Sequence, residues 1–225
     1  MNLERARFNM IEQQIRPWQV LDQDVLRLLS EVKREDFVPV AHKALAFADL
    51  ELPLINNSEA ALQSGQCMLS PKVEARMLQD LAVTAQDKVL EIGAGSGYMA
   101  ALLSKRAQRV ITLEIEPELA LMTRDNLQRQ GIHNVEVRHG DGAQGAAVDG
   151  PFDVILLSGS VAEVPHKLLE QLRPGGRLMA VVGDLPMMRA TLITCTGAGQ
   201  FSTTQAWDTV APRLINFAEH ARFQF

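Results

Sequence analysis

A glycine-rich segment near the middle of the chain is the part of the sequence best suited to bind a small molecule. A strand pattern over 89–92 leads into glycines at alternate positions, Gly93, Gly95 and Gly97, and a helical pattern begins near Tyr98. Because glycine has no Cβ, the backbone of such a loop can approach a ligand closely. The free N–H groups at the start of the following helix can face an electron-rich group. This pattern predicts a nucleotide-type binding loop between a strand and a helix.

The spacing of these glycines separates the known classes of nucleotide loop. A dinucleotide-binding loop reads Gly-x-Gly-x-x-Gly and would place its third glycine where this chain has Tyr98. A phosphate-binding loop needs Gly-Lys followed by Ser or Thr, and no such pair follows this loop. Nicotinamide, flavin and ATP are therefore disfavoured as ligands. The Gly-x-Gly-x-Gly form, with Glu91 two residues before its first glycine, resembles the first motif of class I methyltransferases, which bind S-adenosylmethionine.

Carboxylates follow at the ends of the next two strand patterns. Glu114 can accept hydrogen bonds from both hydroxyls of a ribose, and the resemblance implies that Asp141 accepts one from the adenine amine. Taken singly, each residue also fits a turn or a solvated strand end, but ligands of open α/β sheets bind beyond the carboxyl ends of the strands. The ordered succession of these residues favours a cofactor site. We predict that the residues binding S-adenosylmethionine are Glu91, Gly93, Ala94, Gly95, Ser96, Gly97, Glu114, Ile115, Asp141, Gly142 and Ser158.

Hydrophobic periodicity predicts the elements that position these residues. Over 3–38 apolar residues recur at helical spacing, with Pro17 interrupting two amphipathic helices and Asp22 as an N-cap. From residue 88 onward short apolar runs alternate with helical segments. This alternation is typical of an α/β fold with a doubly wound, mainly parallel sheet and helices on both faces. We expect residues 1–80 to form a helical lid on an α/β core that comprises residues 81–225.

Composition excludes several other classes of protein. A chain of 225 residues with 47% hydrophobic and 22% charged residues is typical of a globular protein with one core. A formal net charge of −5 argues against a nucleic acid partner. No apolar run approaches the roughly 20 residues of a membrane helix, and the charged start does not resemble a signal peptide. Neither the two cysteines nor the five histidines have metal-site spacing. We therefore expect a cytoplasmic protein without a metal, nucleic acid or membrane partner.

The first eighty residues contain strings that resemble one methyltransferase family. They are similar to segments of protein-L-isoaspartate O-methyltransferases: NMIEQQI (9–15), VLRLLSEVKREDFVP (25–39), ADLELPL (48–54), and SGQ with PKVEARML (64–78). The most specific string is 32–39, in which Phe37 and Val38 are expected to pack and Pro39 to end a helix. With the core motifs, the resemblance covers nearly the whole chain.

This resemblance implies a repair reaction on damaged protein. The family transfers a methyl group from S-adenosylmethionine, leaving S-adenosylhomocysteine, to the α-carboxylate of an isoaspartyl residue. The ester then collapses to a succinimide, which can reopen to normal aspartate. The ionised carboxylate is itself the nucleophile, so alignment of the reacting atoms supplies most of the rate. Isoaspartyl-containing proteins or peptides are thus the expected substrates, and the N-terminal segment the expected lid.

The chain departs from the family pattern at the expected substrate loop. After Gly-Gln the family has Thr-Ile-Ser, whose serine is its proposed active-site hydroxyl, whereas Gly65-Gln66 is followed here by Cys-Met-Leu-Ser-Pro. Leu69 stands at the serine position, and a leucine side chain cannot hydrogen-bond a carboxylate. Either Ser70 supplies the hydroxyl through a local loop shift, or the pocket serves a different acceptor. We predict Ser70 as the catalytic residue and Gly65, Gln66 and Leu69 as substrate-binding residues.

Three functions remain compatible with the sequence. They are an isoaspartyl methyltransferase, a methyltransferase with another acceptor, and a binding module that holds the cofactor without turnover. The N-terminal strings favour the first, whereas Leu69 and a looser match at 210–217, VAPRLINF, where the family reads roughly Phe-Val-Pro-Leu, speak against it. Cys67 is expected to be a buried structural thiol, because methyl transfer needs no covalent step. We favour the isoaspartyl methyltransferase.

Overall fold

The N-terminal part of the chain forms a mainly helical layer in the computed structural model, which describes residues 2–220. Asp22 caps the second helix as predicted, because its side chain accepts hydrogen bonds from Asp24 N and Val25 N. That helix ends at Glu31 and not near Pro39, because Val32 takes extended backbone. The elements of this layer are α1 (Leu3–Met10), α2 (Gln23–Glu31), β1 (Leu52–Pro53), α3 (Ser58–Ser64), β2 (Cys67–Met68) and α4 (Pro71–Leu81).

Seven further strands form the central sheet of the core. Helices separate the first strands, and the last three strands follow one another directly. Residues 221–225 of the predicted core lie outside the described residues. The elements are β3 (Lys88–Ile92), α5 (Tyr98–Ser104), β4 (Arg109–Glu114), α6 (Pro117–Arg129), β5 (Val135–His139), β6 (Phe152–Val161), α7 (His166–Leu169), β7 (Leu172–Asp184), β8 (Met187–Gly197) and β9 (Gln200–Thr209).

The sheet confirms the predicted doubly wound fold, with one addition. Its strand order is β5-β4-β3-β6-β7-β8-β9, and the first five of these strands are parallel. Strands β8 and β9 are antiparallel and extend one edge as a meander. Strand β4 lies on one side of β3 and β6 on the other, so the strand order reverses at β3. The carboxyl ends of these three strands form a switch point, where α/β proteins bind ligands.

The side chains of strand β3 alternate between two clusters of buried hydrophobic residues, a larger and a smaller one, on opposite faces of the sheet. Val89 joins the larger cluster of buried side chains, whereas Leu90 and Ile92 join a smaller cluster on the opposite face. This alternation follows from the two-residue period of a strand. The N-terminal layer and helices α5 and α6 contribute to the larger cluster, while the smaller one contains residues of α7 and the C-terminal Phe217. Within residues 2–220 no helix has the length and apolar character needed to cross a membrane.

Candidate cofactor and substrate site

A cavity lies at the carboxyl ends of β3, β4 and β6. Ligands of open α/β sheets bind at this edge of the sheet. The N-terminal layer, the strand ends and the C-terminal segment, which is the part of the chain after β9 (210–220), all contribute to its walls. The lining residues are Leu54, Ser64, Gly65, Gln66, Cys67, Ile92, Gly93, Gly95, Leu113, Glu114, Ile115, Glu116, Leu119, Gly142, Ser158, Arg213, Leu214, Ile215 and Phe217.

The structure brings many of the predicted site residues together around this cavity. Those that line it are Gly65, Gln66, Gly93, Gly95, Glu114, Ile115, Gly142 and Ser158. A smaller cavity lies behind the glycine loop. It is lined by Leu69, Glu91, Ala94 and Ser96 together with some of the same residues. Gly97, Asp141 and Ser70 line neither cavity.

Helix α6 holds the glycine loop in place. Thr123 Oγ1 donates to Gly95 O at 2.9 Å, and Asn126 Nδ2 donates to Ser96 O at 2.7 Å. Gly97 has a φ of 83°, and a Cβ added there would lie 3.0 Å from Thr123 Cγ2. The third glycine therefore permits close packing of the loop on α6, while Gly93 and Gly95 face the cavity.

Glu114 places a buried carboxylate at the end of β4. One oxygen accepts a hydrogen bond from Gly95 N at 2.8 Å, and the other accepts one from Glu116 N at 3.1 Å. A carboxylate has about four lone-pair positions, so acceptor capacity remains for a ligand in the cavity. The side chain therefore both fixes the glycine loop and presents an acceptor suited to hydroxyl groups.

Glu91 supports the loop from behind and does not line the main cavity. Its carboxyl accepts hydrogen bonds from Thr112 Oγ1 at 2.7 Å and from Ser158 Oγ at 2.8 Å. Burial raises the pKa of Glu91 to about 8, although these two hydrogen bonds act in the opposite direction. Glu91 thus ties together three neighbouring strands, β3, β4 and β6, directly under the cavity.

Replacing Glu91 with glutamine is expected to reduce the pH dependence of stability. The folded state binds the carboxyl proton more tightly than the unfolded chain, so the free energy of unfolding falls as pH rises from about 4.5 to about 8. Because glutamine is neutral throughout, denaturant unfolding of E91Q should show a smaller fall over this range. The exposed Glu118→Gln serves as the control and should keep the wild-type profile. Superimposable profiles for wild type and E91Q would contradict the assignment of a raised pKa.

Asp141 and Gly142, which follow β5, have different roles in the structure, although both were predicted to bind the cofactor. Asp141 Oδ1 accepts a hydrogen bond from Ala143 N at 2.8 Å, and Oδ2 accepts one from Asn216 Nδ2 at 3.1 Å. The carboxylate of Asp141 therefore fastens the C-terminal segment and shapes the turn. Gly142 lines the cavity and is in contact with β3, where an added Cβ would overlap Ile92 Cγ2.

Replacing Gly142 with alanine is expected to destabilise the fold by about 1–3 kcal/mol, the usual cost of overpacking a filled interior. The reason is the overlap with Ile92, which lies on β3 at the base of the cavity. Gly140→Ala is a matched control, since a Cβ at Gly140 would have no neighbour within 4 Å. Denaturant titration of both variants checks this, and equal stability of the two would show that Gly142 is not needed for packing.

The predicted substrate loop is anchored through Leu69. Its carbonyl accepts a hydrogen bond from the buried Arg34 Nη2 at 2.9 Å, and Leu69 lines the small cavity. Ser70 is the N-cap residue of α4. It lines a different groove, whose walls also include Trp18 and Lys72. The structure therefore does not bring Ser70 to the main cavity. A catalytic Ser70 stays a prediction that requires the loop to move relative to α4.

Several residues of the cavity were not selected from the sequence. Cys67 was expected to be a structural thiol, yet it is only half-buried and lines the cavity. Burial raises the pKa of its thiol to about 11, so it is protonated at neutral pH. Arg213, Leu214 and Phe217 come from the C-terminal segment, for which no local pattern marks a binding role. The one signal in the sequence was the string VAPRLINF at 210–217, which matches the family pattern only loosely.

The chemistry of the cavity fits S-adenosylmethionine. Apolar side chains of Leu113, Ile115 and Phe217 suit an adenine ring, and the Glu114 carboxylate suits ribose hydroxyls. The glycine loop leaves its backbone accessible beside them. In the part of the chain that the structure describes, no group of three or more His, Cys, Asp or Glu residues is arranged to hold a metal ion.

The strand order, the glycine loop and the acidic end of the neighbouring strand define a class I methyltransferase that uses S-adenosylmethionine. The family model for protein-L-isoaspartate(D-aspartate) O-methyltransferase matches residues 5–209. The chain belongs to this family.

Individual relatives agree with the family assignment. A protein-L-isoaspartate O-methyltransferase of Koribacter versatilis is 38% identical over 206 residues, 92% of this chain and 88% of that protein. One from Myxococcus xanthus is 42% identical over 164 residues, 73% of this chain and 74% of that protein. Both matches span most of the two proteins that they compare.

Solved structures share the fold. A protein-L-isoaspartate O-methyltransferase structure aligns with a TM-score of 0.76 and 25% identity, over 91% of this chain and 64% of that chain. A Plasmodium falciparum protein solved in complex with S-adenosyl-L-homocysteine aligns with a TM-score of 0.75 over 92% of this chain and 98% of that chain. At 19% identity, the second match concerns the fold alone.

Proposed function

We propose that this chain methylates the α-carboxylate of L-isoaspartyl residues in damaged proteins. The observation that carries the proposal is the meeting of two parts of the chain at one cavity. Gly93 and Glu114, from the cofactor-type motifs, line it together with Gly65 and Gln66, which belong to the N-terminal strings. A methyl donor and a carboxylate acceptor need such a shared space, because the reacting atoms must be aligned within about 3–3.5 Å.

Each part of the site has a distinct task in this reaction. S-adenosylmethionine, when bound, supplies the electrophilic methyl group. Glu114 accepts hydrogen bonds from the ribose hydroxyls, and the glycine loop lets the backbone approach the cofactor. The loop Gly65–Gln66 and the C-terminal segment enclose the acceptor side. No general base is required, because the acceptor carboxylate is ionised near neutral pH.

A protein substrate can reach this cavity through an adjoining groove. Ser64, Gly65 and Arg213 line both the cavity and a surface groove that continues past Glu51 and Met188. An extended peptide in the groove would bring one side chain to the cavity while its neighbours stay outside. We infer that residues 1–80 act as the lid that excludes water from the carboxylate. We also infer that the protein works in the cytoplasm on isoaspartyl-containing proteins.

The test is transfer of labelled methyl from S-adenosylmethionine to an isoaspartyl peptide, beside the same peptide with normal aspartate. Binding of S-adenosylhomocysteine is measured by calorimetry on the same preparation. The expected result is label on the isoaspartyl peptide alone. Absence of label despite firm cofactor binding would overturn the proposed substrate.

A second candidate function is methylation of a different acceptor by the same site. Leu69 favours it, because a leucine occupies the position where the family has its serine and cannot hydrogen-bond a carboxylate. Ser70 does not replace that hydroxyl in the structure, since it lines the groove on the other side of the loop. The same assay with hydroxyl and amine acceptors separates the two functions.

A further inference from the structure

The C-terminal segment around Arg213 is fixed between two walls of the cavity. On one side, Pro212 O accepts a hydrogen bond from Ser160 N at 2.7 Å, and Leu214 N donates to Ser160 O at 2.9 Å. On the other side, the segment meets the substrate loop at Gly65, where an added Cβ would lie 3.2 Å from Arg213 O. These contacts place Arg213 at the junction of the cavity and the outer groove, and it lines both.

The guanidinium of Arg213 is held in place and still has an unused donor. Its Nη2 lies 2.6 Å from Asp184 Oδ1, and its Nε lies 3.0 Å from Glu219 Oε1. Within residues 2–220 the buried Nη1 makes no hydrogen bond. A buried N–H without an acceptor is unfavourable, so a bound acceptor would be stabilised there.

The surrounding charges define what kind of contact Arg213 can make. Asp184 also contacts His220, whose Nδ1 lies 2.7 Å from Asp184 Oδ2. The hydrogen bond from His220, supported by Arg213, holds the pKa of Asp184 below its usual value. Because Asp184 and Glu219 offset the charge of the guanidinium, recognition at Nη1 depends on a directed hydrogen bond more than on long-range attraction. Arginine donors suit carboxylates in this role.

Arg213 stands after the proline of the VAPRLINF string, where the family resemblance expects leucine, and Leu69 stands where it expects serine. Resting on the proposed function, we propose that Arg213 Nη1 binds the isoaspartyl carboxylate in place of the hydroxyl that Leu69 lacks. The two departures from the family pattern then compensate each other. One removes a hydrogen-bond donor from the substrate loop, and the other supplies a donor from the C-terminal segment.

Arg213→Met tests the proposal through the kinetics of an isoaspartyl peptide. The KM for the peptide should rise roughly tenfold to a hundredfold, as expected for loss of a hydrogen bond to a charged group. The Kd for S-adenosylhomocysteine should stay within about twofold of wild type, since Arg213 is assigned to the acceptor and not to the cofactor. Arg189→Met is the matched control, because Arg189 is an exposed arginine paired with Asp208. It should leave both constants unchanged.

A rescue by Leu69→Ser distinguishes carboxylate binding from a structural role. In the R213M background, L69S should reverse a large part of the rise in KM, since it restores the hydroxyl that the family has at this position. In the wild-type background, L69S should change KM by less than about threefold, because the carboxylate already has its donor.

The outcomes separate this inference from the proposed function. A wild-type chain that binds S-adenosylhomocysteine but labels no isoaspartyl peptide overturns the proposed function. An active wild type with an unchanged KM in R213M overturns only the role of Arg213. A loss of affinity for S-adenosylhomocysteine of more than about tenfold in R213M also overturns the role of Arg213, because the guanidinium then stabilises the cavity wall and does not act on the acceptor alone.

Discussion

Replacing Arg34 with methionine is expected to lower the free energy of unfolding by about 3–5 kcal/mol, the range for breaking a buried ion pair by removing one partner. Arg34 is fully buried and donates to Ala46 O and Leu69 O, each at 2.9 Å. Its Nε lies 3.6 Å from Oε2 of Glu74, which is also buried. Methionine has a similar length but no donor, so it leaves two carbonyls without partners and a buried carboxyl without a cation.

Denaturant unfolding near neutral pH measures this effect. Arg27→Met is the control, because Arg27 pairs with Asp24 and Glu31 on the exposed face of α2. Such surface pairs contribute little, so R27M should stay within about 0.5 kcal/mol of wild type. A loss of less than about 1 kcal/mol in R34M would show that the buried arginine does not stabilise the layer.

A second variant identifies the cause of the loss. Burial raises the pKa of Glu74 to about 7, and Arg34 is the group that lowers it. Without Arg34 the carboxyl should therefore bind its proton more tightly still. The double variant R34M/E74M removes both partners and is expected to be more stable than R34M, because no buried carboxyl then lacks its partner. A double variant less stable than R34M would contradict this account.

The same change has a consequence for function. The Arg34 bond to Leu69 O fixes the backbone of the substrate loop, and the bond to Ala46 O ties that loop to the segment before β1. Loss of both bonds leaves the loop less ordered before the peptide binds. We therefore expect folded R34M to have a raised KM for the isoaspartyl peptide.

Replacing Glu114 with glutamine is expected to weaken binding of S-adenosylmethionine roughly a hundredfold, because charge-assisted hydrogen bonds to the ribose are lost. The carboxylate in the wild type can accept from two backbone N–H groups and still accept from a ligand. The amide has only one oxygen, and its NH₂ group would face Gly95 N or Glu116 N, donor against donor. Both the loop and the ribose contact are therefore disturbed.

Calorimetric titration with S-adenosylhomocysteine measures this loss of affinity. Glu118→Gln removes the same charge from an exposed position in the first turn of α6, so it separates the ribose contact from general electrostatics. E118Q should bind within about twofold of wild type. Wild-type affinity in E114Q would contradict the assignment of Glu114 as the acceptor for the ribose hydroxyls.

Local sequence patterns predicted the parts of the site that strand ends build. A strand that runs into alternating glycines and a carboxylate at the end of the next strand lie together because parallel strands end at one edge. Gly93, Gly95 and Glu114 accordingly line one cavity. The local pattern failed at the end of α2. This helix stops at Glu31 although helical spacing continues, because Val32 takes extended backbone and a short 3₁₀ helix follows at Arg34–Asp36.

Contacts between distant residues decided the rest of the site. Arg34 reaches Leu69, and the Arg213 backbone meets Gly65, across separations that no periodicity encodes. Leu69 and Ser70 are adjacent in sequence, yet they line different spaces. The sequence by itself determined the class of fold and the cofactor edge, because both depend on the order and ends of strands. Only the tertiary structure decided which side chains face the acceptor, because loop orientation depends on packing between the N-terminal layer, the sheet and the C-terminal segment.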